Sequence, residues 1–195
     1  MKNRKLKITE MGRMNVDEFR ASEKMPLIVV LDDVRSMYNV GSVFRTSDAF
    51  RVEAIYLCGI TAQPPHPEIH KTALGAEDTV EWKYFPTALD AVAALKEKEY
   101  IIYSIEQCEG ATMLQTLFQG ISSGNKPNGA SSQIKEKVSK YAIILGNEVK
   151  GVHQEVVDAS DGCIEIPQFG TKHSLNVSTT AGIVIWEFAK RLLMN

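Results

Sequence analysis

The sequence predicts an α/β domain in which a mostly parallel sheet of about six strands is flanked by helices. Three observations predict this fold class: short apolar runs recur along the chain, helical segments with one apolar face separate them, and no internal repeat divides the sequence. An unbroken apolar run that ends in polar residues is typical of a strand buried on both faces, as in parallel sheets. The 195 residues are enough for one domain with a small appendage.

The first predicted strand is the run LIVVLD, which stays apolar until its closing acids. A helix follows this strand and leads to a second buried strand, an order that predicts a right-handed parallel crossover. The last predicted strand stops at Pro167, because proline has no N–H to donate to a sheet ladder. The predicted strands cover residues 27–32, 54–59, 79–82, 100–106, 141–146 and 162–166.

Apolar residues at three- and four-residue spacing predict the helices. The clearest helix covers residues 86–99, where Leu89, Val92 and Leu95 share one face and Pro86 or Thr87 begins the helix. The other predicted helices cover residues 15–24, 36–50, 70–75, 153–159 and the stretch from 175 onwards. In that last helix, one face carries Leu175, Ser178, Thr179, Gly182, Ile183, Trp186, Ala189 and Lys190.

Two segments predict no regular structure, and the start of the chain is ambiguous. The proline-rich residues 61–70 favour a loop. Residues 120–133 consist almost wholly of Gly, Ser, Asn, Pro, Ala and Gln, which predicts a flexible surface insertion. The basic first dozen residues are either a frayed terminus or an arm that contacts RNA. We expect residues 1–25 to form an N-terminal extension and residues 26–195 to form the domain.

The composition is that of a globular protein, with 44% hydrophobic and 24% charged residues. No apolar run approaches the roughly 20 residues that a membrane span needs. The start of the chain lacks the apolar core of a secretory signal, so we expect a cytoplasmic location and no membrane partner. The net charge of −2 is a weak argument against binding nucleic acid, although the charge can be unevenly distributed.

The cysteines and histidines predict neither a disulfide framework nor a metal site. Cys58, Cys108 and Cys163 are odd in number, far apart in the sequence and set among apolar residues, which is typical of free buried thiols in a reducing compartment. The four histidines lack metal-ligand spacing on one element, and no paired carboxylates indicate hydrolysis. We therefore expect no metal.

Three separated stretches carry polar residues in patterns that suggest chemistry. The first is NVGSVFRT, with Asn39, Gly41, Arg45 and Thr46; the second is LGNEVKG, with Leu145, Gly146, Glu148 and Gly151; the third is IPQFGTKHSLNVS at 166–178. Alone, the first is more often a helix surface than a catalytic pair, and the second can be a strand that ends in a helix cap. The GxGxxG and GxxxxGK[ST] phosphate-binding patterns are absent from the sequence, so neither a dinucleotide-binding Rossmann site nor a P-loop is supported.

Taken together and in this order, the three stretches resemble the signature motifs of the SpoU (TrmH) family of RNA methyltransferases, in the SPOUT superfamily. The resemblance runs from about residue 25 to the end, and Gln168 replaces the usual methionine of the third motif. It implies a C-terminal trefoil knot, a topology that periodicity alone could not have predicted. It also implies the methyl donor S-adenosylmethionine and transfer to a ribose 2′-hydroxyl of RNA.

The resemblance implies a cofactor pocket formed by three loops, in which backbone groups of Gly146, Ile166 and Leu175 hold the adenine. The implied cofactor-binding residues are Ser104, Leu145, Gly146, Gly151, Ile166, Ser174 and Leu175. Because arginine keeps its proton in proteins, Arg45 is expected to bind a phosphate and stabilise the nascent alkoxide rather than act as a base.

Four further residues are expected to complete the catalytic set around Arg45. Asn39 would orient Arg45 and the RNA backbone, and Glu148 would orient Arg45 or a substrate group across a dimer interface. Ser174 and Asn176 would complete the site near the methyl donor.

The resemblance also implies a homodimer that pairs through the C-terminal helix, with Ile183, Trp186 and Leu193. Transfer RNA is the expected substrate rather than ribosomal RNA, by analogy with members that lack an additional N-terminal RNA-binding domain. Two alternatives stay open: a non-catalytic RNA-binding or assembly protein with the same fold, and an RNA base methyltransferase. The five polar residues of the catalytic set argue against the first, and the pattern NxGxxxRT argues against the second.

Overall fold

The fold is that of a computed structural model, which describes residues 3–119 and 139–194. Its centre is a seven-stranded sheet in which every ladder is parallel, in the order β3-β2-β1-β6-β4-β7-β5. The strands are β1 (Met25–Asp32), β2 (Val52–Cys58), β3 (Trp82–Phe85), β4 (Ile101–Ile105), β5 (Thr112–Met113), β6 (Tyr141–Leu145) and β7 (Gly162–Glu165). This arrangement confirms the predicted α/β fold class and its parallel crossover.

Strand β1 shows why the apolar runs read as fully buried strands. Met25, Leu27, Val29 and Leu31 belong to one core cluster, while Ile28 and Val30 belong to a second cluster on the opposite face of the sheet. Successive side chains of a strand point to opposite faces, so a strand with helices on both sides needs apolar residues at every position.

Six helices cover the two faces, and polar caps fix where most of them begin. The helices are α1 (Val16–Ala21), α2 (Met37–Ala49), α3 (Pro67–Ala73), α4 (Ala88–Glu97), α5 (Gln154–Ala159) and α6 (Val177–Leu193). Helices α2, α3 and α6 pack on one face with α1, and α4 and α5 pack on the other. Asn15 and Thr87 each form a capping box, while Ser36 and Asn176 cap α2 and α6 with their side chains.

Two predictions about individual elements were wrong in part, and one strand was not predicted. Residues 61–70 are not all loop, because α3 already begins at Pro67. A proline is compatible with the first turn of a helix, since the backbone N–H that it lacks would have no partner within the helix. The strand predicted at 79–82 lies at Trp82–Phe85, after a 3₁₀ turn over Ala76–Asp78. Strand β5 was not predicted, since two residues give no periodic signal.

Part of the predicted N-terminal extension is attached to the domain, because Phe19 of α1 is buried in the core. The insertion predicted at 120–133 lies outside the described residues, and the trefoil knot stays a prediction. Among the residues that the structure describes, no helix combines the length and the apolarity needed to cross a membrane.

Helix α6 turns one apolar face inward and another outward. Val177, Ala181, Val184, Ile185, Phe188 and Ala189 are buried in the core. Of the face predicted from the sequence, Ala189 is buried, but the three apolar residues expected at a dimer contact are exposed: Ile183 is 37%, Trp186 45% and Leu193 36% accessible to solvent. The Trp186 ring lies 5.7 Å from that of Phe50, so the exposed face continues onto the end of α2.

Candidate functional site

A cavity of about 340 Å³ lies at the carboxyl ends of β4, β6 and β7. Ligands of parallel α/β sheets bind at this edge, and the volume is typical of a small-molecule site. Three loops line it, and the lining residues are Ile105, Glu106, Gln107, Leu145, Gly146, Asn147, Glu148, Val149, Lys150, Gly151, Ile164, Glu165, Ile166, Gln168, His173, Ser174, Leu175, Val177 and Thr180. Sequence stretches two and three therefore converge on one cavity.

The second loop, 146–151, folds back on itself at two glycines. Asn147 and Gly151 exchange backbone hydrogen bonds of 3.0 and 2.9 Å. A Cβ on Gly146 would overlap the backbone of Gly151 and Val152, and Gly151 has a φ of +71°. Only glycine meets both demands, so these positions shape the cavity wall.

Glu106 and Gln107, at the end of β4, tie the three loops together. The Glu106 carboxylate accepts hydrogen bonds from the backbone N–H of Val152 at 3.0 Å and of Gln107 at 2.9 Å. The Gln107 side chain donates to the carbonyl oxygen of His173 at 2.9 Å. The resemblance had placed Glu106 in the first pocket loop, Ser104 to Glu106, but not Gln107, and nothing in the local pattern marks either residue as a contact between distant loops.

Glu148 joins the cavity to the start of α2. Its carboxylate accepts from the backbone N–H of Arg35 and Ser36 and from the Asn39 side-chain amide, each at 3.0 Å. Partial burial acts to raise the pKa of Glu148, but these hydrogen bonds to the charged form outweigh it and leave the pKa below its usual value. The carboxylate therefore stays ionised and holds the amino end of α2.

Asn39 extends this link to α6. The Asn39 side-chain oxygen accepts from the Asn176 amide at 3.0 Å. Asn176 in turn caps α6, accepting from the N–H of Ser178 at 2.9 Å and of Thr179 at 3.3 Å. Asn39, at the centre of this chain of hydrogen bonds, is 8% exposed, whereas Glu148 and Asn176 at its two ends are exposed to solvent. Three of the five predicted catalytic residues thus form one continuous network.

Arg45 lies apart from this network. It is exposed on α2 and makes no hydrogen bond or ion pair with any residue in the described ranges. It follows Asn39 by six positions in the helix, which places the two side chains roughly 120° apart around the helix and about 9 Å apart along it. Neither Asn39 nor Glu148 contacts Arg45 within one chain, and Arg45 does not line the cavity. Within a single protomer, Asn39 and Glu148 therefore do not orient Arg45 as the sequence had predicted.

Six of the seven predicted cofactor-binding residues line the cavity: Leu145, Gly146, Gly151, Ile166, Ser174 and Leu175. Ser104 does not. It is fully buried, and its hydroxyl is hydrogen-bonded to that of Ser160 at 2.9 Å. The next residues, Ile105 to Gln107, line the cavity, whereas the Ser104 side chain lies on the sheet face covered by α5, at whose end Ser160 stands.

An Asp–His pair also fixes the second loop, and sequence reasoning missed it. The buried Asp32 carboxylate accepts from the backbone N–H of His153 at 3.0 Å and lies 2.9 Å from its ring Nδ1. This hydrogen bond, and the charge of Asp32, raise the pKa of His153. Asp33 completes a group whose ligand atoms lie within 4.8 Å of one another, but its Oδ1 already accepts from the N–H of Ile60. We interpret the group as a connection between β1 and the cavity loop.

Comparisons with known proteins place the chain among RNA-modifying enzymes. The model of a family described as SpoU rRNA Methylase matches residues 26–186. An uncharacterized tRNA/rRNA methyltransferase of Borreliella burgdorferi is 28% identical over 191 residues, 98% of this chain and 75% of the relative. The tRNA (guanosine(18)-2′-O)-methyltransferase of Thermus thermophilus is 26% identical over 185 residues, 95% of this chain and 85% of the relative.

The fold is also shared with solved structures. An AdoMet-bound rRNA methyltransferase from Sinorhizobium meliloti superimposes with a TM-score of 0.71 at 23% identity. The match covers 91% of this chain and 61% of that one. At this identity the likeness shows the fold alone.

Proposed function

The chain belongs to the SpoU rRNA Methylase family, and on this premise we propose that it transfers a methyl group from S-adenosylmethionine to a ribose 2′-hydroxyl of RNA. One observation carries the proposal. The cavity walls formed by LGNEVKG and IPQFGTKHSL are linked through Glu148, Asn39 and Asn176 to α2, the helix that bears Arg45. All three sequence stretches therefore meet in one assembly.

The cavity fits the proposed cofactor. It is of small-molecule size, and the missing Cβ of Gly146 brings peptide groups to its surface, where they can hydrogen-bond a flat base. We assign adenine binding to backbone groups of Gly146, Ile166 and Leu175, with Leu145, Gly151 and Ser174 completing the wall. When bound, S-adenosylmethionine supplies a methyl group activated by a positively charged sulfur.

Arg45 is proposed to act on the RNA. Its guanidinium stays protonated, so it binds a phosphate next to the target ribose and stabilises negative charge that develops on the 2′-oxygen. An unpaired, exposed arginine can make these contacts without first breaking an ion pair. Ser174 lines the cavity and Asn176, two residues later, belongs to the network, and we propose that they position the ribose for in-line attack.

We propose further that the enzyme works as a homodimer. Arg45 does not line the cavity of its own chain, and α6 exposes Ile183, Trp186 and Leu193 on one apolar face. Burying this face against a second copy would remove apolar surface from water. Pairing would also allow the Arg45 of one protomer to serve the cavity of its partner.

Transfer RNA is proposed as the first substrate to test, since a relative matched over most of its length is named for a tRNA guanosine 2′-O-methylation. The test incubates the protein with a radiolabelled methyl donor and, separately, with unmodified tRNA and unmodified ribosomal RNA. The labelled nucleoside is then identified by mass spectrometry after digestion.

The expected result is label on a ribose of tRNA. Label on a ribose of ribosomal RNA would retain the reaction and change the substrate. Label on a base would overturn the ribose assignment. RNA binding without any transfer would favour a non-catalytic binding protein with the same fold.

A further inference from the structure

Two cysteines that are far apart in the sequence meet beside the cofactor cavity. Cys108 follows β4 and Cys163 lies in β7, 55 residues later, and the Cys163 thiol donates to the Cys108 sulfur with an Sγ–Sγ distance of 2.9 Å. All three cysteines are free thiols, as predicted, but the prediction that they are buried was wrong for Cys108 and Cys163, which are partly exposed. Spacing could not have found this pair, because only the pairing of β4 with β7 brings the two positions together.

The pair is accessible to small solutes. Both cysteines are partly exposed and line an open cavity of about 680 Å³. The third cysteine, Cys58, is fully buried in the core and has no sulfur neighbour among the described residues. The chain thus carries one solvent-accessible pair of thiols, Cys108 and Cys163, and one buried thiol, Cys58, that can serve as a control.

The dithiol adjoins the residues that tie the cofactor loops together. Glu106, Gln107 and Lys150 line both cavities, and Glu106 and Gln107 are within two residues of Cys108. Glu106 holds Val152, and Gln107 holds the carbonyl of His173. Cys163 lies one residue before Ile164, whose carbonyl accepts from the Glu106 N–H at 3.2 Å. A bond between the two sulfurs would therefore constrain the segment whose Glu106 and Gln107 hold the cavity loops.

We propose that Cys108 and Cys163 form a reversible dithiol–disulfide site, oxidised by a small-molecule disulfide, and that closing the disulfide tightens binding in the cofactor cavity. The first part depends only on the thiol geometry. The second part rests on the proposed function, because it takes S-adenosylmethionine as the ligand of that cavity.

The chemistry is two successive thiol–disulfide exchanges with oxidised glutathione. The Cys108 thiolate attacks one glutathione sulfur, forms a mixed disulfide and expels the other glutathione as a thiolate. The Cys163 sulfur then attacks Cys108, forms the internal disulfide and expels the second glutathione. The two cysteine protons end on the two glutathione thiols, the protein loses two electrons, and the glutathione disulfide gains them. Burial raises the pKa of Cys163 to about 12, which favours Cys108 as the first nucleophile.

Tighter binding is expected because the thiols already lie side by side. Bond formation then immobilises the 106–111 segment, whose Glu106 and Gln107 line the cofactor cavity. The segment therefore loses less conformational entropy when the ligand binds. We expect the dissociation constant of S-adenosylmethionine to fall about two- to tenfold on oxidation.

The experiment equilibrates the purified full chain in glutathione buffers from fully reduced to fully oxidised. Peptide mapping by mass spectrometry identifies the linked cysteines, and titration calorimetry measures cofactor affinity at each end of the series. Cys108→Ser and Cys163→Ser should abolish both the disulfide and the affinity change. Cys58→Ala is the matched control and should retain both.

A parallel measurement keeps the proposal separate from the cofactor assignment. Amide hydrogen exchange of segments 106–111 and 151–153 should slow on oxidation, with or without ligand. No Cys108–Cys163 disulfide even in fully oxidised glutathione would overturn the site. A disulfide that leaves exchange in both segments unchanged would overturn the coupling. If the reduced protein fails to bind S-adenosylmethionine while the disulfide forms and exchange slows, the proposed function fails and the dithiol site stands.

Discussion

The cofactor cavity and the outer surface of α2 are organised in opposite ways. In the cavity, each loop is fixed by contacts within the chain: Gly146 against Gly151, Glu106 to Val152, and Gln107 to His173. On α2, Arg45 extends into solvent and pairs with no described residue. The contrast is what the proposed function expects if the donor half of the site is complete in one protomer and the acceptor half gains its contacts from RNA or from a second copy of the chain.

The strongest challenge to this contrast is Arg45→Ala. We expect methyl transfer to fall about 10²- to 10³-fold, because the variant removes charge stabilisation at the reacting oxygen. Cofactor affinity should stay unchanged, since Arg45 does not line the cavity. Turnover with labelled donor and calorimetry measure the two effects. Arg45→Lys keeps the positive charge but lacks the planar guanidinium, so its rate of methyl transfer should lie between those of wild type and Arg45→Ala. A large loss of cofactor affinity in Arg45→Ala would contradict the separation of the two halves.

Mixing two impaired variants tests which chain supplies the arginine. Arg45→Ala and Gly146→Ala protomers, refolded together in equal amounts, each keep the half of the site that the other lacks, and activity is measured at a donor concentration well below the dissociation constant of Gly146→Ala. If Arg45 serves the partner's cavity, about a quarter of wild-type activity should return, as half of the dimers are mixed and each mixed dimer holds one complete site. If Arg45 serves its own cavity, the mixture should show no more activity than the two variants measured separately.

Gly146→Ala tests the donor half directly. The added methyl group would overlap the backbone of Gly151 and Val152, so the loop must shift away from the bound cofactor. We expect at least about a tenfold loss of S-adenosylmethionine affinity, measured by calorimetry. Gly170→Ala, in the third loop, is the control: its Cβ would meet nothing within 4 Å and its φ is not positive. Equal losses in both variants would show that the loops are merely sensitive to any substitution.

Glu148→Gln weakens the link between the two halves. The neutral amide is a poorer acceptor for the N–H groups of Arg35 and Ser36, and we expect the free energy of unfolding to fall by about 1 kcal/mol, a value kept low for an exposed group. Because the pKa of Glu148 is lowered in the fold, its contribution is present above the unfolded value of about 4.5 and is lost as the pH falls below it.

Denaturant titration at neutral and acid pH checks this expectation. The difference between wild type and Glu148→Gln should shrink in acid. Glu23→Gln, at an exposed acid without a hydrogen bond in the described chain, should show no such difference. If the difference in free energy of unfolding between wild type and Glu148→Gln stays constant down to acid pH, the charge of the carboxylate is not what holds the amino end of α2.

The smallest expected effect is the pH dependence contributed by His153. Its pKa is raised in the folded state by Asp32, so the stabilisation is fully present below the unfolded pKa of about 6.5 and is lost as the pH rises through the folded value. The melting temperature of wild type relative to His153→Gln should therefore decrease across this window. A difference between the two proteins that rises with pH would reverse the assignment.

Much of the fold could be predicted because its signals are local. The apolar run in β1 and the caps at Asn15 and Thr87 each depend on neighbours a few residues away. Helix α3 was placed too late because Pro67 was read as a breaker, although proline at the first helical position is compatible with a helix.

The sequence could predict where the candidate site lies but not which side chains contact each other in it. The second and third motifs named six residues that line the cavity, whereas Ser104 of the first predicted loop is buried against Ser160, and Glu106 of that loop lines the cavity together with Gln107, which was not predicted. Contacts such as Glu148 with Asn39, or Asp32 with His153, join residues more than 100 positions apart. No periodicity records such contacts, because they arise only when the strands assemble.

The strand order has a consequence for how the polypeptide is made. β6 lies between β1 and β4, so β1–β2–β3 and β4 share no ladder until residues 141–145 insert between them. During synthesis, a nascent chain that has not yet released these residues holds one half-sheet, β1–β2–β3, with an unpaired edge at β1, and a strand β4 that lacks both of its partners, β6 and β7. Such edges invite aggregation, and closing them requires pairing over long sequence separations, which is slow. Chaperone protection of the growing chain should therefore be needed most just before Tyr141 leaves the ribosome.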